Sequence, residues 1–287
     1  MTSFPRAVIA VCSNKGGVGK TTLATNLAIY LRALREELPV LLVGLDDQRV
    51  IDRMFQLGPA NGADPGEGNL KHAWAERSFE RVARLGQYGV HYVPTPPDTV
   101  LLKTRAEDPR ILSQMLARSE WPGIVIIDTK SDLEALTQNA LCAADRILLP
   151  VSDRTALEEA VRLVDLLGRL RVPVARARVV FTLVDRRTEA AARGGGFFAD
   201  LREAVAERGF AHYRSSLSRS PRLEALNSAS VTPGSILHHA RGTRIHEEMR
   251  SLSKEILDDL SAPAAPAMSR SSAEMKSALL RGLRGGR

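Results

Sequence analysis

The sequence predicts an α/β protein with a doubly wound, mostly parallel sheet flanked by helices. Short, wholly apolar segments alternate with segments whose apolar residues recur every three or four positions. Strands that are apolar on both faces are typical of a buried parallel sheet, and the alternation places a helix between successive strands. The chain of 287 residues can bury one substantial core. We expect one domain over 1–260 and a flexible basic C-terminal tail over 261–287.

The predicted elements follow one another along the chain. The apolar run 7–12 predicts the first strand, and Leu23, Leu27 and Leu31 lie at the spacing of one face of a helix. The segment 58–68 is rich in Gly and Pro and is expected to be a loop. Further strands are predicted at 39–43, 90–93, 123–127, 146–151, 178–184 and 211–217, and further helices at 108–118, 132–143, 156–170, 197–208 and 241–260.

A glycine-rich segment lies between the first strand and the first helix. Its glycines allow consecutive backbone N–H groups to point at phosphate oxygens, and the helix N-terminus adds its dipole. Lys20 supplies a point charge, and the Thr21 hydroxyl is expected to bind Mg²⁺. A plain Lys-Gly-Gly turn is the competing interpretation, and the strand–loop–helix context disfavours it. The residues expected to bind a nucleotide are Lys15, Gly16, Gly17, Val18, Gly19, Lys20, Thr21 and Thr22.

Asp128 directly follows the most apolar predicted strand of the chain. A carboxylate at this position orients Mg²⁺, usually through the water shell of the ion, because Mg²⁺ gives up water reluctantly. An aspartate that caps the next helix is the alternative. The strand-then-aspartate context favours the metal role.

Charge and composition restrict the class of protein. The net charge is +7 and the isoelectric point is about 9.8, which favours a polyanionic partner. The segment 262–287 carries four of those seven charges. No apolar run is long enough to cross a bilayer and no signal peptide is evident, so a cytoplasmic protein is expected. Cys12 and Cys142 have neither disulfide nor metal spacing and are expected to be buried small apolar residues.

The phosphate loop carries a second lysine, Lys15, that an ordinary loop of this kind does not need. The segment 15–22, Lys-Gly-Gly-Val-Gly-Lys-Thr-Thr, resembles the deviant Walker A box of the ParA/MinD ATPases, and the resemblance extends over about 7–260. It implies a P-loop fold, ATP and Mg²⁺ as cofactors, and a homodimer that forms in the ATP state. In that dimer Lys15 would reach across to the phosphates bound by the other subunit.

The segment 41–48, Leu-Leu-Val-Gly-Leu-Asp-Asp-Gln, resembles the second acidic box of this family, commonly Asp-x-Asp-Pro-Gln after a strand. By register Asp46 matches the second aspartate, which in the family positions the attacking water. The resemblance therefore implies that Lys15, Lys20 and Asp46 are catalytic in ATP hydrolysis. A ParB-like or cargo-adaptor protein is the expected activator.

Two segments depart from the family pattern. Gly44 stands where the first aspartate of the acidic box would be, and Asp47 replaces the proline. After Asp128 the family usually continues Thr-Pro-Pro-Ser, but here Lys130 and Ser131 replace the two prolines. This segment is the family's switch for sensing the γ-phosphate, so its flexibility and charge are altered. We therefore expect hydrolysis to be slow, and a nucleotide-gated scaffold that does not hydrolyse ATP is an alternative.

In ParA relatives, basic residues near the last matching blocks bind double-stranded DNA without sequence preference once the ATP dimer has formed. Dimerisation doubles the number of phosphate contacts, and affinity rises steeply with that number. No aromatic platform lies among the corresponding residues, which disfavours single strands. A solvated arginine-rich surface is the competing interpretation. The candidate DNA-binding residues are Arg186, Arg187, Arg214, Arg219, Arg222, Arg241 and Arg244.

The resemblance thus implies a nucleoid-associated switch that positions or segregates a cargo, either DNA or a protein complex. In the tail, Met275, Leu279 and Leu283 fall on one side of a helix, similar to the membrane-targeting helix of MinD. With no aromatic residue there, a DNA-assisting arm or disorder ranks above a membrane anchor. An iron–sulfur reductase of the nitrogenase type is disfavoured, because Cys12 and Cys142 are not placed to bridge a dimer.

Overall fold

A computed structural model of the protein describes residues 6–46, 49–57, 68–96, 100–186, 196–228 and 234–262. Strands and helices alternate along these ranges. The strands are β1 (Ala7–Val11), β2 (Val40–Gly44), β3 (Arg84–Leu85), β4 (His91–Val93), β5 (Ile124–Asp128), β6 (Arg146–Val151), β7 (Ala177–Val184) and β8 (His212–Ser218). The helices are α1 (Lys20–Leu34), α2 (Val50–Phe55), α3 (Leu70–Glu76), α4 (Val100–Arg105), α5 (Ile111–Arg118), α6 (Ala135–Ala143), α7 (Arg154–Leu170), α8 (Phe197–Glu207), α9 (Pro221–Ser228), α10 (Ile236–His239) and α11 (Arg244–Ser261).

The strands form one sheet in the order β3-β4-β2-β5-β1-β6-β7-β8. Each pairing is parallel except that of β3 with β4, which confirms the predicted mostly parallel sheet. The central strands β2 and β5 are buried at every position, and β1 at all but one. Burial on both faces explains why these strands are apolar without alternation.

Helices cover both faces of the sheet, which confirms the doubly wound architecture. On one face α1, α2 and α11 enclose a core that includes Leu27, Met54 and Leu252. On the other face α3 and α5 to α8 pack over a second core that includes Trp74 and Leu163. The functional loops must therefore emerge at the ends of the strands, because the faces are occupied.

The carboxyl ends of three central strands lie side by side. Val11 of β1 and Gly44 of β2 are both in register with Asp128 of β5. In parallel α/β sheets, ligands bind at this edge. The fold thus brings together the loop after β1, the residues that follow β2 and the segment that follows β5.

Each predicted strand and helix within the described ranges is present, with bounds that agree to within three residues. The antiparallel strand β3 and the helices α2, α3, α4, α9 and α10 were not predicted, because they are short and show no clear period. Cys12 is buried as expected, but Cys142 is only half-buried. No described helix has the length and apolar character to cross a bilayer. Most of the predicted loop 58–68 and of the predicted tail 261–287, namely residues 58–67 and 263–287, lie outside the described residues.

Candidate nucleotide-binding site

The backbone of the loop after β1 has the conformation that a phosphate cradle needs. Gly17 and Gly19 have φ of 74° and 86°, in the left-handed region that side chains other than glycine rarely adopt. Gly19 is the N-cap of α1, and within the described part of the chain no side-chain hydrogen bond caps that helix end. When no side chain caps a helix, its first N–H groups are available to bind an anion, and the helix dipole strengthens that binding.

Two hydrogen bonds fix the loop to the sheet. The Thr182 hydroxyl of β7 donates to the carbonyl oxygen of the buried Val18 at 2.9 Å. The Thr129 hydroxyl donates to the carbonyl oxygen of Val11, at the end of β1, also at 2.9 Å. Both threonines are buried. The cradle is therefore held in place by contacts within the protein itself.

Lys20 lies inside the cradle and is only 7% exposed. Its Nζ donates to the Ser131 hydroxyl at 2.6 Å and to the Lys15 carbonyl oxygen at 3.2 Å. The Ser131 Oγ is 3.9 Å from where a Cβ on Gly16 would be, so this side chain lies over the loop. Burial lowers the pKa of Lys20, although the charge of Asp128 opposes the shift. A buried ammonium with a neutral partner is ready for an anionic ligand.

Asp128 is 1% exposed and sits beside Thr21, whose hydroxyl hydrogen-bonds its carboxyl group. Burial raises the pKa of Asp128 to about 7, although Thr21 and the charge of Lys20 lower it and Asp46 adds to the rise. Among the residues that the structure describes, its Oδ1 has no hydrogen-bond partner. A buried, unpaired carboxylate oxygen beside a hydroxyl suits a hard cation such as Mg²⁺. These residues therefore fit the metal role predicted for Thr21 and Asp128.

Asp46 follows β2 and lines a narrow pocket together with Thr21, Gly44 and Asp128. The backbone couples the two strands here, since the Leu45 N–H donates to the Asp128 carbonyl oxygen at 2.9 Å. The structure thus brings Asp46 next to the candidate metal residues, as the acidic-box resemblance implies. Within the described ranges, no three His, Cys, Asp or Glu side chains converge on a metal position.

The Lys15 side chain contacts the N-terminal end of α7. Its Nζ lies 2.6 Å from the Asp153 carboxylate, and its side chain is 30% exposed. Asp153 also caps α7 by accepting from the Ala156 N–H at 2.9 Å. Burial would raise the pKa of Asp153, but hydrogen bonds from Lys15, Ala156 and Ser152 lower it overall. The signature lysine therefore lies at the rim of the site, held by a carboxylate of its own subunit.

An apolar cavity borders the other side of the loop, next to Gly19 and Thr22. Leu217, Ile245 and Met249 contribute to its wall. Leu183 also lines it and has a φ of 55° in β7, where the pairing with β8 shifts register. A non-glycine residue in this conformation is uncommon and is found more often at functional sites. The cavity adjoins the phosphate cradle and could accept a flat apolar group.

Most of the candidate DNA-binding arginines lie on or near β8 and the start of α11. β8 and α11 run antiparallel, because the Ser215 N–H donates to Glu255 at 3.0 Å and the Ser218 N–H to Glu248 at 2.7 Å. The carboxyl end of β8 therefore meets the start of α11. Arg219, Arg222, Arg241 and Arg244 are exposed at or near this end, and Arg214 is exposed on β8.

Arg186 has a different environment from the other arginines. Its guanidinium group contacts the Ser216 hydroxyl at 2.5 Å and the Glu248 carboxylate at 3.4 Å, and it lies over the Phe198 ring. It is half-buried and links β8, α8 and α11. Arg187 lies outside the described residues. The exposed arginines near the carboxyl end of β8 and the start of α11 are thus better placed than Arg186 to contact DNA.

Sequence reasoning missed several residues that complete the site. Ser131 was identified only as a departure from a family pattern, and Asp153 and Thr182 had no assigned role. Each acts on the loop from a distant part of the chain, such as the 111-residue separation between Lys20 and Ser131. Only the N-cap position of Asp153, before an amphipathic run, gave a local signal.

Comparisons with known proteins agree with this geometry. A family model described as the CobQ/CobB/MinD/ParA nucleotide binding domain matches residues 9–208. The chain is 35% identical over 186 residues to the chromosome-partitioning ATPase Soj of Thermus thermophilus, covering 63% of this chain and 70% of that protein. The structure of the McdA–ATP complex from Cyanothece matches with a TM-score of 0.70 at 14% identity, covering 89% of this chain and 97% of that one. Cobyrinic acid a,c-diamide synthase from Mycobacterium smegmatis, with bound ADP and magnesium, matches with a TM-score of 0.64 at 21% identity, covering 92% and 99%.

Proposed function

Because the chain belongs to the CobQ/CobB/MinD/ParA family of nucleotide-binding domains, we propose that it is an ATPase switch of the ParA type. Two subunits join when each holds ATP, and the dimer binds double-stranded DNA of the nucleoid without sequence preference. A ParB-like or cargo-adaptor protein stimulates hydrolysis, which releases the dimer and so positions or segregates a cargo. The observation that carries this proposal is the pair of lysines: Lys20 is buried in the cradle, and Lys15 lies at the rim.

In this proposal the cradle binds the triphosphate through its backbone N–H groups, and Lys20 exchanges Ser131 for phosphate oxygens. Bound Mg²⁺ would supply charge neutralisation on the phosphates. The Thr21 hydroxyl and Asp128 would hold the ion, Asp128 through water. Asp46, in the same pocket, would orient the attacking water. The cavity beside Gly19 has apolar walls, which suit the adenine base of ATP.

The dimer depends on the side chain at the rim. Lys15 must leave Asp153 to reach the phosphates of a facing subunit, and its partial exposure allows this. A surface ion pair of this kind is worth roughly 0–1 kcal/mol, so the exchange for a charge-assisted phosphate contact is favourable. That contact exists only while the γ-phosphate is present, which would make dimerisation depend on ATP.

The proposed DNA surface consists of Arg219, Arg222, Arg241 and Arg244 at the β8–α11 end, with Arg214 beside it. Arg219 is paired with Glu224 at 2.8 Å, and both side chains are exposed, so phosphate can compete for the guanidinium. A two-fold dimer presents this surface twice. Because each phosphate contact contributes about 0.9 to the salt slope of binding, the dimer would hold DNA much more tightly than one subunit.

The test is binding to a random-sequence duplex at several salt concentrations, with AMPPNP and Mg²⁺ or with ADP. We expect binding in AMPPNP only. Replacing Arg222 with Ala should lower the salt slope by about 2, because each dimer loses two contacts. The matched control is Arg118→Ala, since Arg118 is an exposed arginine on α5, on the opposite face of the sheet from α11. Equal binding in ADP, or equal losses in the two variants, would contradict the DNA surface.

A specific observation favours a second candidate, a nucleotide-gated scaffold without hydrolysis. Gly44 occupies the place of an aspartate in the family box, and the Ile51 side chain fills the space beside it. The magnesium pocket therefore has one carboxylate fewer than the box that it resembles. Release of inorganic phosphate, measured with and without DNA, separates the two: the Asp46→Ala variant should abolish it in an ATPase, whereas a scaffold shows none from the start.

A further inference from the structure

Arg49 lines the same narrow pocket as Thr21, Asp46 and Asp128. It stands immediately before α2, with a φ of 53°, and its side chain is 55% exposed. None of the sequence motifs assigns it a role. Arg49 lies on the side of the pocket formed by the start of α2. The other charged residues that line the pocket are both aspartates, so Arg49 adds a positive charge to it.

A buried carboxylate holds this arginine. The Arg49 Nε lies 3.3 Å from Oδ2 of Asp52. Asp52 is itself buried and accepts from the Thr95 N–H with both oxygens, at 3.1 and 3.2 Å. The guanidinium group has five N–H donors, and the Asp52 contact is made by Nε. Among the described residues, its terminal NH₂ groups have no such contact and can donate to oxygen acceptors in the pocket.

Gly44 explains why α2 begins so near the pocket. A Cβ on Gly44 would lie 2.8 Å from Cδ1 of Ile51 and 3.5 Å from the Thr95 hydroxyl. Ile51 is buried against the end of β2 in this space. A side chain at position 44 would therefore require at least the end of the Ile51 side chain to move. The absence of a side chain at position 44 thus leaves room for Ile51, next to Arg49 at the start of α2, to pack at the end of β2.

We propose that Arg49 contacts the terminal phosphoryl group of the ATP bound to its own subunit, with Asp52 as its positioning residue. This inference rests on the proposed function. A planar guanidinium group can bind two phosphate oxygens at once, and such charge-assisted contacts are among the strongest hydrogen bonds. ADP lacks the group that Arg49 would contact. Arg49 therefore gives the pocket a preference for ATP over ADP, in addition to the contact that Lys15 makes across the dimer.

The test is calorimetric titration of the full chain with AMPPNP or ADP, each with Mg²⁺, at protein concentrations where Lys15→Ala is monomeric. Arg49→Gln in that background should weaken AMPPNP binding about tenfold or more and change ADP binding by less than about twofold. The matched control is Arg53→Gln, because Arg53 is an exposed arginine on α2 itself. It should leave both affinities unchanged.

Two conservative variants guard against misfolding. Arg49→Lys keeps the charge without the planar fork and should lose at least about threefold in the ratio of AMPPNP to ADP affinity. Asp52→Asn keeps an acceptor for Thr95 but loosens Arg49, and should lower the same ratio. An unchanged ratio in Arg49→Gln, or equal weakening of both nucleotides, would overturn the role of Arg49. If the protein with Lys20 intact bound neither nucleotide, the proposed function itself would fail.

Discussion

Replacing Ser131 with Ala tests whether the segment after β5 competes with phosphate for Lys20. The Lys20 Nζ donates to the Ser131 hydroxyl at 2.6 Å. A hydrogen bond to a charged group contributes about 1.5–3 kcal/mol, and because Ser131 is exposed, water recovers part of it, leaving about 1 kcal/mol. The nucleotide-bound state loses nothing if Lys20 then contacts phosphate. Affinity for both ADP and AMPPNP should therefore rise about fivefold.

Calorimetric titration of the Ser131→Ala variant measures this gain directly, and thermal unfolding of the nucleotide-free protein should show a slightly lower Tm. The control is Ser251→Ala, because Ser251 is an exposed serine on α11, away from the cradle. Weaker binding in Ser131→Ala would show that the hydroxyl contacts the nucleotide rather than competing with it. An unchanged affinity would show that the Lys20–Ser131 contact has no energetic cost for binding. Either result would refute the reasoning.

Three further substitutions test the packing and the rim. Gly44→Ala should lower the free energy of unfolding in urea by about 1 kcal/mol, because the buried Ile51 must move; equal or greater stability would contradict this. Asp153→Asn keeps the cap of α7 but releases Lys15 in both subunits, so sedimentation in AMPPNP should show a dimer constant up to about thirtyfold tighter, and a weaker dimer would argue against the exchange. Leu252→Ala should cost about 2–5 kcal/mol in the same urea assay without changing nucleotide affinity per folded molecule, since Leu252 is fully buried on α11.

The sequence was sufficient to predict the sheet and to predict that the candidate site lies at the ends of its central strands. The apolar strands are buried on both faces, so their pattern is unambiguous. The phosphate loop lies between a strand and a helix that can each be recognised from their local sequence. Asp128 could be assigned because it directly follows such a strand. The short helices α2 to α4 have too few turns to show a period, so their positions come from packing alone.

The contacts that control the loop could not be predicted from local pattern. Lys15 and Asp153 are 138 residues apart, and Lys20 and Ser131 are 111 apart, so both pairs depend on how β1, β5 and β6 are ordered in the sheet. Arg186 looked like other basic residues in the sequence, yet it packs over Phe198 and pairs with Glu248. A basic residue can therefore be assigned to an exposed binding surface from sequence only when the fold brings no buried acceptor within its reach.

Light scattering after size exclusion, with AMPPNP and Mg²⁺, measures the mass of the protein in solution and so tests whether ATP joins two subunits through Lys15. We expect a particle of twice the 31.3 kDa chain mass in AMPPNP and a single chain in ADP. We also expect Lys15→Ala to stay a single chain in AMPPNP while still binding the nucleotide. A single chain in saturating AMPPNP, or a dimer that forms equally well without Lys15, would contradict this expectation.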